Sequence, residues 1–425
     1  MDRPTNRFVR MGESPAGGAS GGGQAGGWAL VDQGVVSLGN FLTSLLLARF
    51  LPQETFGVYA LLFGLMLAAN QLHSAAVVYP LLLQGAVADR RAMRRLASVS
   101  LAYSLALAPL TGIALGVATI LLNVPGTWLG AAVALTCWQA QETTRRILMA
   151  KLRHRAALWG DSLSYLGQAL AVLCLGMRGS LALNAAFGII AATSALAALV
   201  QVLQSGLGSC TVQDIAQHIK RTFGVGGGVL TGHIALAVSM QTFPWALGLS
   251  RGPSAAASYQ AIANVLGLAH PIMFGVGNLM LPSVARINAI GGARRAMRGA
   301  IRQAGEGAIL LTPVFAGILF WSSQILRAFY GPGSPYMGLT RELRVFVAVY
   351  IVMYIAQAAT STLNGLGRVR EASISHVCGA GAAVALGIPA SALLGLAGGI
   401  GGALASNVAR LGMSLAYLRR AARAS

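Results

Sequence analysis

Glu142, Arg145 and Arg146 stand at i, i+3 and i+4 within the run from Gln139 to Gln168, QAQETTRRILMAKLRHRAALWGDSLSYLGQ. On a helix the three share one face. Gln139 extends that face by a turn, and Asp161 opens the next apolar run with the opposite charge. A guanidinium fork pairs with carboxylate or phosphate oxygens, so the chemistry on offer is recognition of an anion. Two uses fit. In one, Arg145 to Arg155 are cytosolic anchors flanking membrane helices. In the other, Arg145 or Arg146 faces an internal cavity and meets an anionic substrate, while Glu142 and Asp161 hold the arginines in place. A charged face that enters a membrane helix generally points inward, because lipid cannot solvate it.

The elements that position these residues are read from composition. Of 425 residues, 55% are hydrophobic and 10% charged, against about 25% charged in ordinary soluble domains. Mean hydropathy is +0.66. The chain therefore reads as an all-α polytopic membrane protein. Net charge is +20, but the basic residues sit in short clusters between apolar runs and form no basic face, so nucleic acid is not an expected partner. Cys137, Cys174, Cys210 and Cys378 have no paired spacing, so neither a disulfide framework nor a metal site is expected.

Residues 1–27 form a Gly-rich segment with no apolar signal-like core, expected to be a disordered cytosolic tail. Trp28 marks the first membrane interface. Twelve apolar runs follow, at 28–50, 57–84, 96–122, 127–149, 158–177, 181–204, 223–248, 254–285, 304–327, 341–366, 372–395 and 398–418. Each is long enough to cross roughly 30 Å of hydrocarbon. The expected organisation is an N-terminal six-helix lobe (28–204), a cytosolic linker (205–222), a C-terminal six-helix lobe (223–418) and a basic tail (419–425). With the N-terminus in the cytosol, 24 of the 31 basic residues fall on the cytosolic side and six outside, and Arg410 lies within the last run, placed to snorkel. Both ends are thus expected in the cytosol.

The halves repeat. Tyr59, Pro80 and RRAMR at 90–94 recur in order as Tyr259, Pro282 and RRAMR at 294–298, and LRHRAA (152–157) matches LGRVREA (366–372). An even number of spans per half makes the repeats parallel, and transporters built this way place their site between the halves.

At ARFLPQETFGVYAL (48–61) the chain resembles the MOP flippase superfamily and, within it, the Wzx-type polysaccharide and O-antigen flippases. Ala48, Arg49, Leu51, Phe56, Gly57 and Tyr59 carry the pattern. LVDQGVVSLGNFLTSLLLAR (30–49), the Gln139–Gln168 joint and LNGLGRVRE (363–371) extend the resemblance over 28–418. Twelve spans suit Wzx-type members; peptidoglycan-precursor flippases usually have fourteen. The resemblance implies a V-shaped bundle of two six-helix lobes, with helices one, two, seven and eight lining a central cleft. Each of those helices carries polar residues here: Asp32; His73 with Asn70 and Gln71; His233 and Gln241; His270 and Asn264. Arg145, Arg146, Arg49, His73, Gln71, His233, Gln241, Asn264 and His270 are the expected substrate-binding set. Asp32, Glu142 and Asp161 are the expected coupling or ion-pair residues. Each also has a plainer use: a histidine bonded to a neighbouring helix, Asp32 near the headgroups or favouring a helix N-terminus, Arg49 snorkelling outward.

GxxxxGK[ST], HExxH and CxxC motifs are all lacking, so no nucleotide, metal, cofactor or enzymatic chemistry is expected. The expected function is movement of an undecaprenyl-diphosphate-linked oligosaccharide from the inner to the outer leaflet of a bacterial cytoplasmic (inner) membrane, for surface or exopolysaccharide synthesis. Its partners would be the lipid-linked oligosaccharide, membrane lipids, and a polysaccharide polymerase or glycosyltransferases. The alternatives are a MATE-type cation or drug antiporter using Asp32, and a non-transporting scaffold for polysaccharide-synthesis enzymes. The charge asymmetry is directly testable. A reporter that fluoresces only in the cytosol, fused after Ser425, is expected to fluoresce, and alkaline phosphatase fused after Gly252 is expected to be active outside.

Overall fold

A computed structural model describes residues 19–85 and 88–423. All regular structure among them is helical. In chain order the long helices are α1 (Ala19–Phe50), α2 (Gln53–Gly85), α3 (Arg90–Leu121), α4 (Trp128–Ala150), α5 (154–177), α6 (Leu183–Ser205), α7 (Val212–Arg251), α8 (253–291), α9 (293–320), α10 (Thr340–Gly365), α11 (369–394) and α12 (396–423). Seven continuous runs are long and apolar enough to cross a membrane. Two of these, Pro253–Phe320 and Val369–Arg423, are each divided by a glycine at positive φ, Gly292 (φ 73°) and Gly395 (φ 59°). A side chain is strained in that backbone region, and glycine is not. α4 and α5 are less apolar because they carry the polar residues described below.

Several helices begin earlier than hydropathy alone indicates. α1 starts at Ala19, so residues 19–27 of the expected tail are helical, and 1–18 lie outside the described residues. α7 starts at Val212 rather than 223, which shortens the linker. Its start is fixed by a capping box in which Thr211 and Asp214 satisfy each other's backbone amides. Arg95 at the start of α3 bonds Asp214, and that hydrogen bond holds the Asp214 carboxyl below the usual carboxylate range. Hydropathy marks where lipid begins, whereas the helix continues beyond it until a cap ends it. The ninth expected span, 304–327, is cut short. Trp321 leaves helical geometry, and Arg327 falls on a separate amphipathic helix, Ser322–Tyr330.

The first six helices pack on one another, with α4 against α6 and α1 against α5, and so do the last six, with α10 against α12 and α7 against α11 and α12. The repeat seen in sequence is a repeat of backbone. Lys151–Leu152–Arg153 after α4 and Leu366–Gly367–Arg368 after α10 have matching conformations, with positive φ at Leu152 (56°) and Gly367 (77°). The same hydrogen bonds close both turns, Arg153 N to Leu148 O and Arg368 N to Leu363 O, each 2.9 Å.

The lobes meet where α2 lies against α7 and against Pro253–Leu266, the first part of α8. Small residues allow the approach. A Cβ on Gly57 would stand 1.9 Å from the Pro253 carbonyl oxygen, and one on Gly248 would stand 2.6 Å from Leu61. Gln53 Nε2 donates across the joint to Ser254 O (3.3 Å) and Ser258 Oγ (3.1 Å). Gly57→Val is expected to part the lobes here at a cost of about 1–3 kcal/mol, the usual penalty of overpacking. Disulfide crosslinking between cysteines placed at 53 and 254 should fall sharply in that variant.

Candidate functional site

Arg145 is the centre of a buried ion-pair cluster in the N-terminal lobe. Its Nη2 donates to Asp32 Oδ2 of α1 (2.8 Å), its Nε to Asp161 Oδ2 of α5 (2.5 Å) and its Nη1 to Glu142 Oε2 of α4 (3.3 Å). Arg145 is 3% exposed and Asp32 and Asp161 are fully buried. Arg146, whose side chain is one-third exposed, closes the other side of Glu142 at 2.6 Å. Asp161 Oδ1 also accepts from Gln201 Nε2 (3.0 Å) and Gln141 Nε2 (3.3 Å), so α6 joins the cluster. Gln141 accepts from Ser164, which accepts in turn from Gln168. Immediately after Asp161 the helix widens into a π turn at Ser162–Leu166. Such turns are short insertions that redirect side chains and are frequent at functional sites.

The i, i+3, i+4 face is therefore real, but its partners assign Arg145 a different task from substrate contact. All three of its nitrogens are engaged with carboxylates inside the lobe. Asp32, expected near the headgroups or in the cleft, is instead sealed against Arg145, with Oδ1 unpartnered. Gln139 is buried one turn deeper with both amide atoms unpartnered. Of the two paired arginines, Arg146 keeps solvent access. Trp28, expected at the first interface, lies under the Arg155 guanidinium at 5.7 Å.

The histidines divide. His73 is buried within its own lobe, where Nε2 is hydrogen-bonded with Ser104 (2.9 Å) and Thr143 (3.1 Å), and a π turn follows at Ser74–Val78. His270 turns into the C-terminal lobe and stacks on Tyr350 at 5.5 Å. Each meets partners within its own lobe, which is the plainer of the two uses its place in the sequence allows. His233 does cross: its Nδ1 meets Gln71 Oε1 of α2 at 3.2 Å, bringing together two expected cavity residues. Gln241 packs against α2 at Gly64, where a Cβ would stand 2.2 Å from its Oε1. Asn264 is buried, accepts from Gln260 (2.8 Å) and has an unpartnered Nδ2. Arg49 is exposed at the C-terminal end of α1.

Sequence reasoning missed Gln141, Gln201, Ser104 and Thr143 in the N-terminal lobe and His376 in the other. Gln201 carried a signal, as a glutamine in the apolar run of α6 with no nearby charge. Ser104 and Thr143 carried none, because hydroxyls in membrane helices commonly bond their own backbone.

No protein-family model matches the chain, and no curated protein matches its sequence. Solved structures do match. An inward-facing multidrug resistance MATE family transporter of the MOP superfamily aligns over 93% of this chain and 98% of its own, with TM-score 0.70 and 14% identity. The lipid II flippase MurJ, in an inward closed conformation, aligns over 92% of this chain and 87% of its own, with TM-score 0.71 and 13% identity. The fold is that of MOP-superfamily transporters. An outward-facing MATE transporter covers 93% and 94% with TM-score 0.58 and 15% identity.

Removing Arg145 leaves three carboxylates around an empty centre. Arg145→Ala is expected to cost about 3–5 kcal/mol, typical of one partner lost from a buried pair. Membrane accumulation and thermal stability in detergent should both fall. Arg145→Lys should rescue poorly, since an ammonium lacks the planar fork that reaches three carboxylates. Arg146→Ala, one-third exposed, should accumulate normally.

Proposed function

We propose that this chain is a flippase that moves a lipid-linked oligosaccharide, carried on undecaprenyl diphosphate, from the inner to the outer leaflet by alternating access. One observation carries the reading. The acids buried within the N-terminal lobe, Asp32, Glu142 and Asp161, are all engaged by Arg145 and Arg146. A cation antiporter needs carboxylates open to its cargo, and a guanidinium already occupies these. An interior whose acids are consumed by its own arginines favours an anionic cargo. The two structural relatives named as a multidrug transporter and a lipid II flippase show that this fold admits both substrate classes, so charge is the deciding criterion.

In this mechanism the lipid tail stays in the bilayer between the lobes while the diphosphate and sugars enter the cleft from the cytosol. Arg146 meets the anion at the entrance, and Gln71, His233 and Gln241 offer hydrogen bonds to phosphate or sugar oxygens. The outward switch parts the contacts of Gln53 and Gly57 with the start of α8 and closes the cytosolic ends. Three carboxylates against two guanidiniums leave the Arg145 cluster one negative charge in excess, so one coupling proton on Asp32 or Asp161 would neutralise it. That same excess, with Asp32 Oδ1 unpartnered, is what favours the second reading, a proton-coupled cation antiporter.

Lipid-linked glycan in cells lacking the protein decides between them, with sidedness read by a membrane-impermeant glycan-modifying enzyme. Build-up in the inner leaflet with loss of surface polysaccharide is the expected result. Normal sidedness together with loss of Asp32-dependent efflux of organic cations would replace the flippase reading with the antiporter.

A further inference from the structure

The C-terminal lobe buries a positive charge with no acid beside it. Arg410 on α12 is 7% exposed. Its Nη2 donates to Met353 O (3.2 Å) and Asn407 Oδ1 (3.0 Å), both uncharged, and its Nε has no partner. None of the ion pairs among the described residues includes it. Met353 lies at the middle of α10, which spans Thr340–Gly365. The guanidinium therefore stands near mid-membrane and cannot snorkel to water as the sequence alone had it doing. An arginine at that depth is stable only when its charge is met.

The groups around it repeat the N-terminal cluster with the charge reversed. His376 on α11 is packed beside both Arg410 and His233: Ser373, three residues before it, lies 3.3 Å from where a Cβ of Gly232 on α7 would stand, and Gly379, three residues after it, faces Arg410. Arg153 and Arg368 occupy matching positions in the two helix–helix turns, and Asp161 and His376 each follow eight residues later. Asp32 precedes the end of α1 by 18 residues, and His233 precedes the end of α7 by 18. The two aspartates that clasp a cation in one lobe are thus two histidines in the other. The cation beside them, Arg410, comes from the C-terminal lobe's own last helix. Gly379 lets that helix in, since a Cβ there would stand 3.2 Å from Arg410 Cβ.

We propose that Arg410, His376 and His233 form an anion site in the C-terminal lobe that takes a phosphate oxyanion. A guanidinium with an unused Nε–H supplies the positive charge, and two imidazoles add N–H donors, where the other lobe supplies carboxylates. His233 also reaches Gln71 across the cleft, so the site borders the path between the lobes. The phosphate it takes is that of a lipid-linked substrate. This assignment of source rests on the flippase reading; the anion site itself does not.

The test uses the full chain in lipid nanodiscs, titrated with inorganic pyrophosphate, with thermal unfolding followed by tryptophan fluorescence. A ligand that binds only the folded protein raises its unfolding temperature in a saturable way, and that rise is expected for the wild type. Arg410→Gln should abolish it, and His376→Asn should weaken the apparent affinity by about tenfold or more, as loss of a charge-assisted hydrogen bond does. Arg302→Gln, which removes an exposed charge paired with Glu306 and not with the site, should keep the full rise. Without pyrophosphate, Arg410→Gln should unfold at a higher temperature than the wild type, since an unmet buried charge has gone. If that variant does not accumulate, Arg410→Lys and His376→Asn carry the comparison. An equal rise in the wild type and these variants, or none in the wild type at millimolar pyrophosphate, overturns the site. Competition by farnesyl diphosphate assigns the site to a lipid-linked phosphate; binding of pyrophosphate without such competition upholds it with free phosphate as its ligand. Specific pyrophosphate binding in a protein whose absence leaves glycan sidedness normal upholds the anion site and removes the flippase reading.

Discussion

One guanidinium organises the N-terminal lobe. A lone charge in a low-dielectric interior costs several kcal/mol, and the cost is offset only when partners and hydrogen bonds surround it. Arg145 meets that condition through carboxylates on three helices, α1, α4 and α5, while Gln201 brings in α6 through Asp161. Four helices are thereby held in one register by polar contacts that lipid cannot replace. This is why α4 and α5, the least apolar segments of the lobe, pack inside it instead of leaving the membrane. Their polarity is directed at each other.

Strong contacts lie within lobes and weaker ones between them. The buried ion pairs stay inside the N-terminal lobe, whereas the interface relies on glycine-mediated backbone approach and neutral hydrogen bonds such as Gln53 to Ser258 and His233 with Gln71. Neutral hydrogen bonds contribute about 1 kcal/mol each and exchange readily for water or substrate. A seam of this kind lets two rigid lobes move relative to each other.

The two halves share a backbone and differ in chemistry. The turns after α4 and α10 match residue for residue, including positive φ at Leu152 and Gly367, yet Asp161 of one half is His376 of the other. A duplicated framework can place groups at equal depths without fixing their charge. The lobes have diverged at those positions, one meeting its internal cation with carboxylates and the other burying Arg410 with no acid beside it.

The sequence by itself determined the membrane class, the twelve segments, the repeat and the shared face of Glu142, Arg145 and Arg146. Each follows from a local property: transfer of apolar side chains into lipid, charge in loops, or the 3.6-residue helical period. It also marked Asp32, Asp161, Gln71 and His233 as polar residues out of place. Only the tertiary structure decided which of them meet. Pairing Asp32 with Arg145 brings together residues 113 positions apart, and no periodicity encodes that distance. For the same reason the sequence leaves His73 and His270 open between the cleft and a neighbouring helix, and helix rotation turns each toward its own lobe, to Ser104 and Thr143 in one case and Tyr350 in the other. Arg410 shows the limit most plainly. Its position in the chain is equally compatible with snorkelling, and only the Met353 carbonyl it bonds reveals its depth. Burial and partner choice are properties of packed helices, so they become visible only when the helices are packed.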